Sequence, residues 1–191
     1  VKWIADADLA KGGNHVNFSL ASLGEPIALY SRTKSLVDKR EISITTLGES
    51  EGRLPDGSTQ ITKFPSTSTP GKSNYLPLEN VVINEVLTHT DPPFEDAIEL
   101  RNISANIVNI GNWWISNSEK NLKKFQISPS TTLSARGMAV FYEGQFNPAP
   151  GAAHSFALNS AHGDKIILSK ADSSGELTGH RAIVEFGAAQ N

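Results

Sequence analysis

Phe18-Ser19-Leu20-Ala21-Ser22-Leu23-Gly24-Glu25-Pro26-Ile27-Ala28-Leu29 returns near the other end of the chain. It reappears as Phe156-Ala157-Leu158-Asn159-Ser160-Ala161-His162-Gly163-Asp164-Lys165-Ile166-Ile167-Leu168. The separation widens slightly from Phe18/Phe156 through Ile27/Ile166 to Ile42/Ile183, as it does when loops acquire insertions between copies of one structural unit. The 191 residues are expected to hold more than one copy of that unit and less than two.

Around this repeat, apolar residues alternate with period two in short runs. The clearest are Ile27/Leu29, Val81/Ile83, Ile98/Leu100, Trp113/Ile115, Phe125/Ile127, Met138/Val140/Tyr142 and Ile166/Leu168. Turn signals separate them: Leu54-Pro55-Asp56-Gly57, Thr69-Pro70-Gly71, Asp91-Pro92-Pro93, Gly111-Asn112 and Ser173-Ser174-Gly175. Proline presets the first turn dihedral, and glycine or asparagine accepts a positive φ. No window of a dozen residues carries a capped apolar stripe at helical spacing, and the best helical candidate, Asp6 to Lys11, runs into Gly12-Gly13. The pattern is all-β, an antiparallel β-sandwich.

Composition narrows function more than it specifies it. With 38% hydrophobic and 19% charged residues the chain fits a globular protein, and a formal charge of −3 argues against strong nucleic-acid binding. Zero cysteines excludes disulfides and thiolate chemistry. No apolar run approaches the ~18 residues that cross a bilayer, so no membrane insertion is expected. Val1 to Asp6 does not read as a signal peptide; an export signal would lie upstream if the chain begins in mid-repeat.

Pro65 to Leu78, rich in Ser, Thr, Pro, Gly and Asn, reads as a linker, with a domain boundary near Asn74. Beyond it, Val82-Ile83-Asn84-Glu85-Val86 and Asp96-Ala97-Ile98-Glu99-Leu100-Arg101-Asn102 resemble the opening of a lamin-tail domain. That family is the immunoglobulin-like module of nuclear lamins, widespread also in bacterial surface and secreted proteins. Ile110-Gly111-Asn112-Trp113-Trp114-Ile115-Ser116-Asn117 resembles its next strand, and Phe125, Ile127, Leu133 and Gly137 to Phe141 fit the segment after it. Phe18-Ser19-Leu20, Gly24-Glu25, Ile27 to Tyr30, Val37-Asp38, Gly52 to Gly57 and Thr69-Pro70-Gly71-Lys72-Ser73-Asn74 resemble its closing half, in order. Asn112 stands where the family usually has glycine, Asn117 where it often has aspartate, and Gly179 in the place of Asp38.

The resemblance implies an immunoglobulin-like β-sandwich present as a truncated tandem. Residues 1–74 would be the C-terminal half of one module, and 75–191 most of a second that lacks its last strand. Such a sandwich keeps an open sheet edge. Segment 47–64, or a neighbouring molecule, is expected to supply the strand. The implied role is a non-enzymatic structural or adhesive interaction module in a larger exported, bacterial protein, placed outside the cell or on its surface. Its partners would be neighbouring modules or another copy, by strand complementation.

Glu85, Asp96 and Glu99 could in principle bind calcium or run acid–base work, but the spacing gathers no three of them, and strand-end carboxylates more often cap loops. Asp6 and Asp8 lack the remainder of a calcium loop. His15, His89, His154, His162 and His180 show no zinc-enzyme spacing, with His15 and His154 expected in loops. No Gly-x-Ser-x-Gly elbow and no phosphate-binding loop occurs, and no catalytic residue, metal ligand or cofactor is assigned. Of the aromatics Trp113, Trp114, Phe125, Phe141 and Phe146, alternation turns one tryptophan inward and the other outward. Trp113 and Trp114 are therefore the weak ligand-contact candidates. With Lys120, Lys123 and Lys124 beside them, they support the rival reading of a carbohydrate- or nucleic-acid-binding module. A divalent-metal-dependent enzyme fragment is the third reading.

Overall fold

The computed structural model describes residues 2–43 and 46–188; Val1 and Asn191 lie outside them. The chain divides into two compact units, Val1–Asn74 and Tyr75–Asn191.

The second unit is a β-sandwich. Its strands are β7 (Leu76–Pro77), β8 (Val81–Leu87), β9 (Ala97–Asn102), β10 (Val108–Asn109), β11 (Trp114–Ser116), β12 (Phe125–Gln126), β13 (Thr132–Leu133), β14 (Met138–Tyr142), β15 (Asp164–Ala171) and β16 (Leu177–Phe186), numbered after six in the first unit. One sheet runs β12-β11-β15-β16-β7 and the other β14-β9-β8, with β10-β13 as a separate ribbon. All pairings are antiparallel except β16 with β7. Inward positions of both sheets build one core: Val81, Ile83, Ile98 and Leu100 with Ile115, Ile166 and Leu168. Phe146 stacks on Phe156 at 4.9 Å between centroids, and Phe125 meets Phe141 edge-on at 5.7 Å. Aromatic pairs favour these offset and T-shaped arrangements.

Local chemistry accounts for several corners. Gly111 sits so close to Pro129 that a Cβ would lie 2.0 Å from the carbonyl oxygen. Asn112 takes φ 66, the left-handed turn that asparagine tolerates. Asn102 is fully buried: its Nδ2 donates to the Asn106, Leu133 and Ser134 carbonyls, and its Oδ1 accepts from the Ser104 amide and hydroxyl.

Three sequence expectations change. In Met138/Val140/Tyr142 the period is right but the phase is reversed: these three are exposed, while Ala139 and Phe141 face the core. Along β8 a bulge between Ile83 and Glu85 breaks the alternation, so Glu85 leaves the face of Val81 and Ile83 and turns to solvent. A helical turn, α1 (Glu143–Phe146), also forms where no helix was read, its N-terminal amide held by the Gln145 side chain.

The first unit comprises β1 (Ile4–Ala5), β2 (His15–Val16), β3 (Glu25–Tyr30), β4 (Leu36–Ile42), β5 (Ser50–Arg53) and β6 (Ile61–Phe64). β1 and β2 pair in parallel, while β3–β4 and β5–β6 are antiparallel hairpins. Ion pairs from Arg40 to Glu51 and from Arg53 to Asp38 tie β4 to β5. The proline-rich end of this unit is ordered: the Asn74 amide donates to Asp56, and its side chain donates to the Arg53 carbonyl.

The two sequence-similar segments each enter an antiparallel hairpin, but the pairing shifts the equivalences expected from sequence spacing. Ala28 faces Lys39 and Leu29 faces Asp38, where Ile167 faces Ile183 and Leu168 faces Ala182. Ile183 thus corresponds to Lys39 rather than Ile42, and the counterpart of Asp38 is Ala182 rather than Gly179. The later hairpin is longer, carrying a bulge between Ser169 and Ala171 and the turn at Gly175.

Candidate functional site

Trp113 and Trp114 divide as alternation requires, Trp113 being 5% exposed and Trp114 half-buried. The Trp114 indole N–H is already used: it donates to the Gly175 carbonyl at 2.9 Å, at the tip of the β15–β16 hairpin. Lys123 lies 5.9 Å from the ring centroid and pairs with Glu176. Trp114 thus braces the hairpin against the neighbouring strand, with part of its ring open to solvent. Lys124 donates to Asn117, which in turn donates to Asp164, so Lys123 and Lys124 are tied into the scaffold.

The carboxylates part ways. Glu85 and Glu99 stand directly opposite each other on the outer face of β8–β9, and Glu99 accepts from Asn84 at 2.6 Å. Asp96 instead accepts from the Thr90 hydroxyl at 2.9 Å and anchors the loop before β9. Among the described residues no three of His, Asp and Glu gather into a group able to hold a metal ion.

In the first unit Asp6 receives His15 Nδ1 at 3.0 Å and Lys11 at 3.1 Å. The His15 hydrogen bond, followed by the weaker pull of Lys11, lowers the Asp6 pKa to about 2. Asp8 caps a single 3₁₀ turn through the Ala10 amide. His15 lies in β2, not in a loop. His154 bonds the Lys123 carbonyl, and burial followed by the nearby Lys170 charge lowers the pKa of His180.

Two apolar surfaces escaped sequence reasoning. On the second unit, Met138, Val140 and Tyr142 form an exposed stripe along β14, the outermost strand of its sheet, with Leu87 and Phe94 also exposed. On the first, Trp3, Phe18, Leu20, Ile27 and Leu29 line an open groove of about 770 Å³. Both phases of β14 carry apolar residues, so the sequence does not say which one is exposed, and the groove's residues read as ordinary core.

A model of the lamin tail domain family matches residues 77–184. The chain belongs to the lamin tail domain family. No curated protein matches it. The matched span covers nearly all of the second unit, and its two facing sheets are the immunoglobulin-like architecture of a lamin tail domain. The family is a non-catalytic module. Within this lamin tail domain, Trp113, Asn102 and Gly111 support the fold, and the β14 stripe is an apolar surface left open.

Proposed function

We propose that this chain is a structural or adhesive contact module, without enzymatic activity of its own, in a larger exported protein of the bacterial type. Residues 1–74 are read as the closing half of one lamin-tail-like module and 75–191 as most of the next. One observation carries the reading. Outside the matched span, the sequence of β3 resembles that of β15, each strand opens an antiparallel hairpin, and Ile27 and Leu29 stand at the positions of Ile166 and Leu168. A recurring sandwich half with exposed apolar side chains is built for contact with other modules, and each such side chain covered contributes about 1.5–3 kcal/mol. Its partners are taken to be neighbouring modules or another copy, joined strand to strand along open edges such as β14. Segment 47–64 was expected to stand in for the second module's last strand; in the structure β5 and β6 within it pair with each other.

The test has two arms. An antibody raised against the chain is expected to label intact source cells, and labelling only after permeabilisation sinks the extracellular placement. The parent reading frame is expected to carry the opening half of a lamin-tail pattern ahead of Val1; its absence sinks the tandem.

A further inference from the structure

Four residues occupy matched ladder or motif positions in both units and meet opposite surroundings. Phe156, Leu158, Ile166 and Leu168 are buried in one core with Val81, Ile83, Ile98, Leu100 and Phe146. Their counterparts Phe18, Leu20, Ile27 and Leu29 line the open groove instead, with Phe18 44% and Leu29 59% exposed. Side chains that are buried in one unit are thus half-buried (Ile27) or exposed (Phe18, Leu20, Leu29) in the other. What covers them in the second unit is the opening half of a lamin tail: β8, β9, β14 and the α1 turn.

We infer that the groove of the first unit is a docking surface for such an opening half, supplied in cis from the amino-terminal side. This deepens the tandem reading above and rests on it. The lining itself selects the occupant. Ile27 and Leu29 share one face of β3, and Trp3, Phe18 and Leu20 extend the apolar lining beside it, so a facing sheet with its own alternating apolar residues complements them. The three charged groups that line it are each paired, Asp38 with Arg53, Lys39 with Glu41 and Arg40 with Glu51. Chain order agrees: in the second unit α1 precedes Phe156 and stacks Phe146 upon it, so an opening half reaches Phe18 from the amino-terminal side. Trp3 lines the groove beside Phe18 and is covered by the same docking.

The experiment grafts a second copy of residues 78–155 ahead of the full chain and follows hydrogen exchange over residues 25–42. Docking is expected to slow exchange there by about tenfold or more, and Leu29→Asp in the grafted protein to abolish the slowing. Unchanged exchange after grafting overturns the inference. So does slow exchange over 25–42 in the ungrafted chain that appears only as it dimerises, since the occupant is then another copy. Failure of the graft with a parent frame that does encode an opening half refutes the groove and leaves the tandem standing. A successful graft with no such frame does the reverse.

Discussion

At the scale of single residues, the fold depends on polar groups with no freedom to move. Asn102 satisfies three carbonyls and two Ser104 groups from a site without solvent, so removing its amide strands several buried partners together. Asn102→Ala is expected to cost about 3 kcal/mol in urea unfolding of the second unit, and Asn102→Asp at least as much, because a carboxylate turns acceptor toward acceptor. A loss below about 1 kcal/mol in both would show that the loops close without it. Asp6 makes a different demand. Its folded pKa of about 2 lies below its ordinary value of 3.8, so its stabilising contribution is complete above about pH 4. That contribution is lost as the pH falls from about 4 toward 2. Carboxylate NMR is expected to place the Asp6 midpoint near 2, and Asp6→Asn to reduce, though not abolish, acid sensitivity in this range, because Glu51 and Asp172 are also held below their ordinary values. A midpoint near 4 would mean that His15 and Lys11 do not hold the carboxylate.

At the scale of elements, the outward tryptophan is the instructive case. The sequence reading presented Trp113 and Trp114 as one core residue and one candidate platform, and alternation does separate them. What it had no means to show is the Gly175 carbonyl, which reaches Trp114 from a hairpin 61 positions away. Gly175 holds φ 83, and a Cβ there would meet Gln126, so the tip is shaped to deliver that carbonyl. Trp114→Ala is therefore expected to lower stability by about 1–2 kcal/mol and to loosen the β15–β16 tip in hydrogen exchange. Its glycan-array pattern should match the parent chain. If glycan binding vanishes while stability holds, the ring is a ligand platform and the bracing role falls. Trp113→Ala serves as the contrast, since truncating a tryptophan this buried costs about 3–5 kcal/mol and is expected to unfold the unit.

At the scale of the whole molecule, period was legible in the sequence and phase only in part. The strands β3 and β15, the turn at Gly111-Asn112 and the family resemblance all follow from local pattern, because pleat and turn chemistry act over a few residues. The reversed phase of Met138/Val140/Tyr142 and the bulge at Glu85 were hidden, since both depend on which partner strand lies opposite. The groove was hidden for a further reason: Phe18 to Leu29 carries the composition of core whether or not anything covers it. That contrast gives the molecule two levels of protection. β3–β4 keeps its ladder but leaves the side chains of Leu29, Leu36 and Val37 exposed, whereas Ile166 and Leu168 of β15 are fully buried. Opening of a strand pair is opposed by the apolar contacts it must break, so the first hairpin has less to lose. Native-state hydrogen exchange with increasing urea is expected to release the β3–β4 amides first, at denaturant concentrations where β15–β16 remains closed. Release of both ladders in a single step at one urea concentration would mean that the exposed side chains of the first unit are covered in solution.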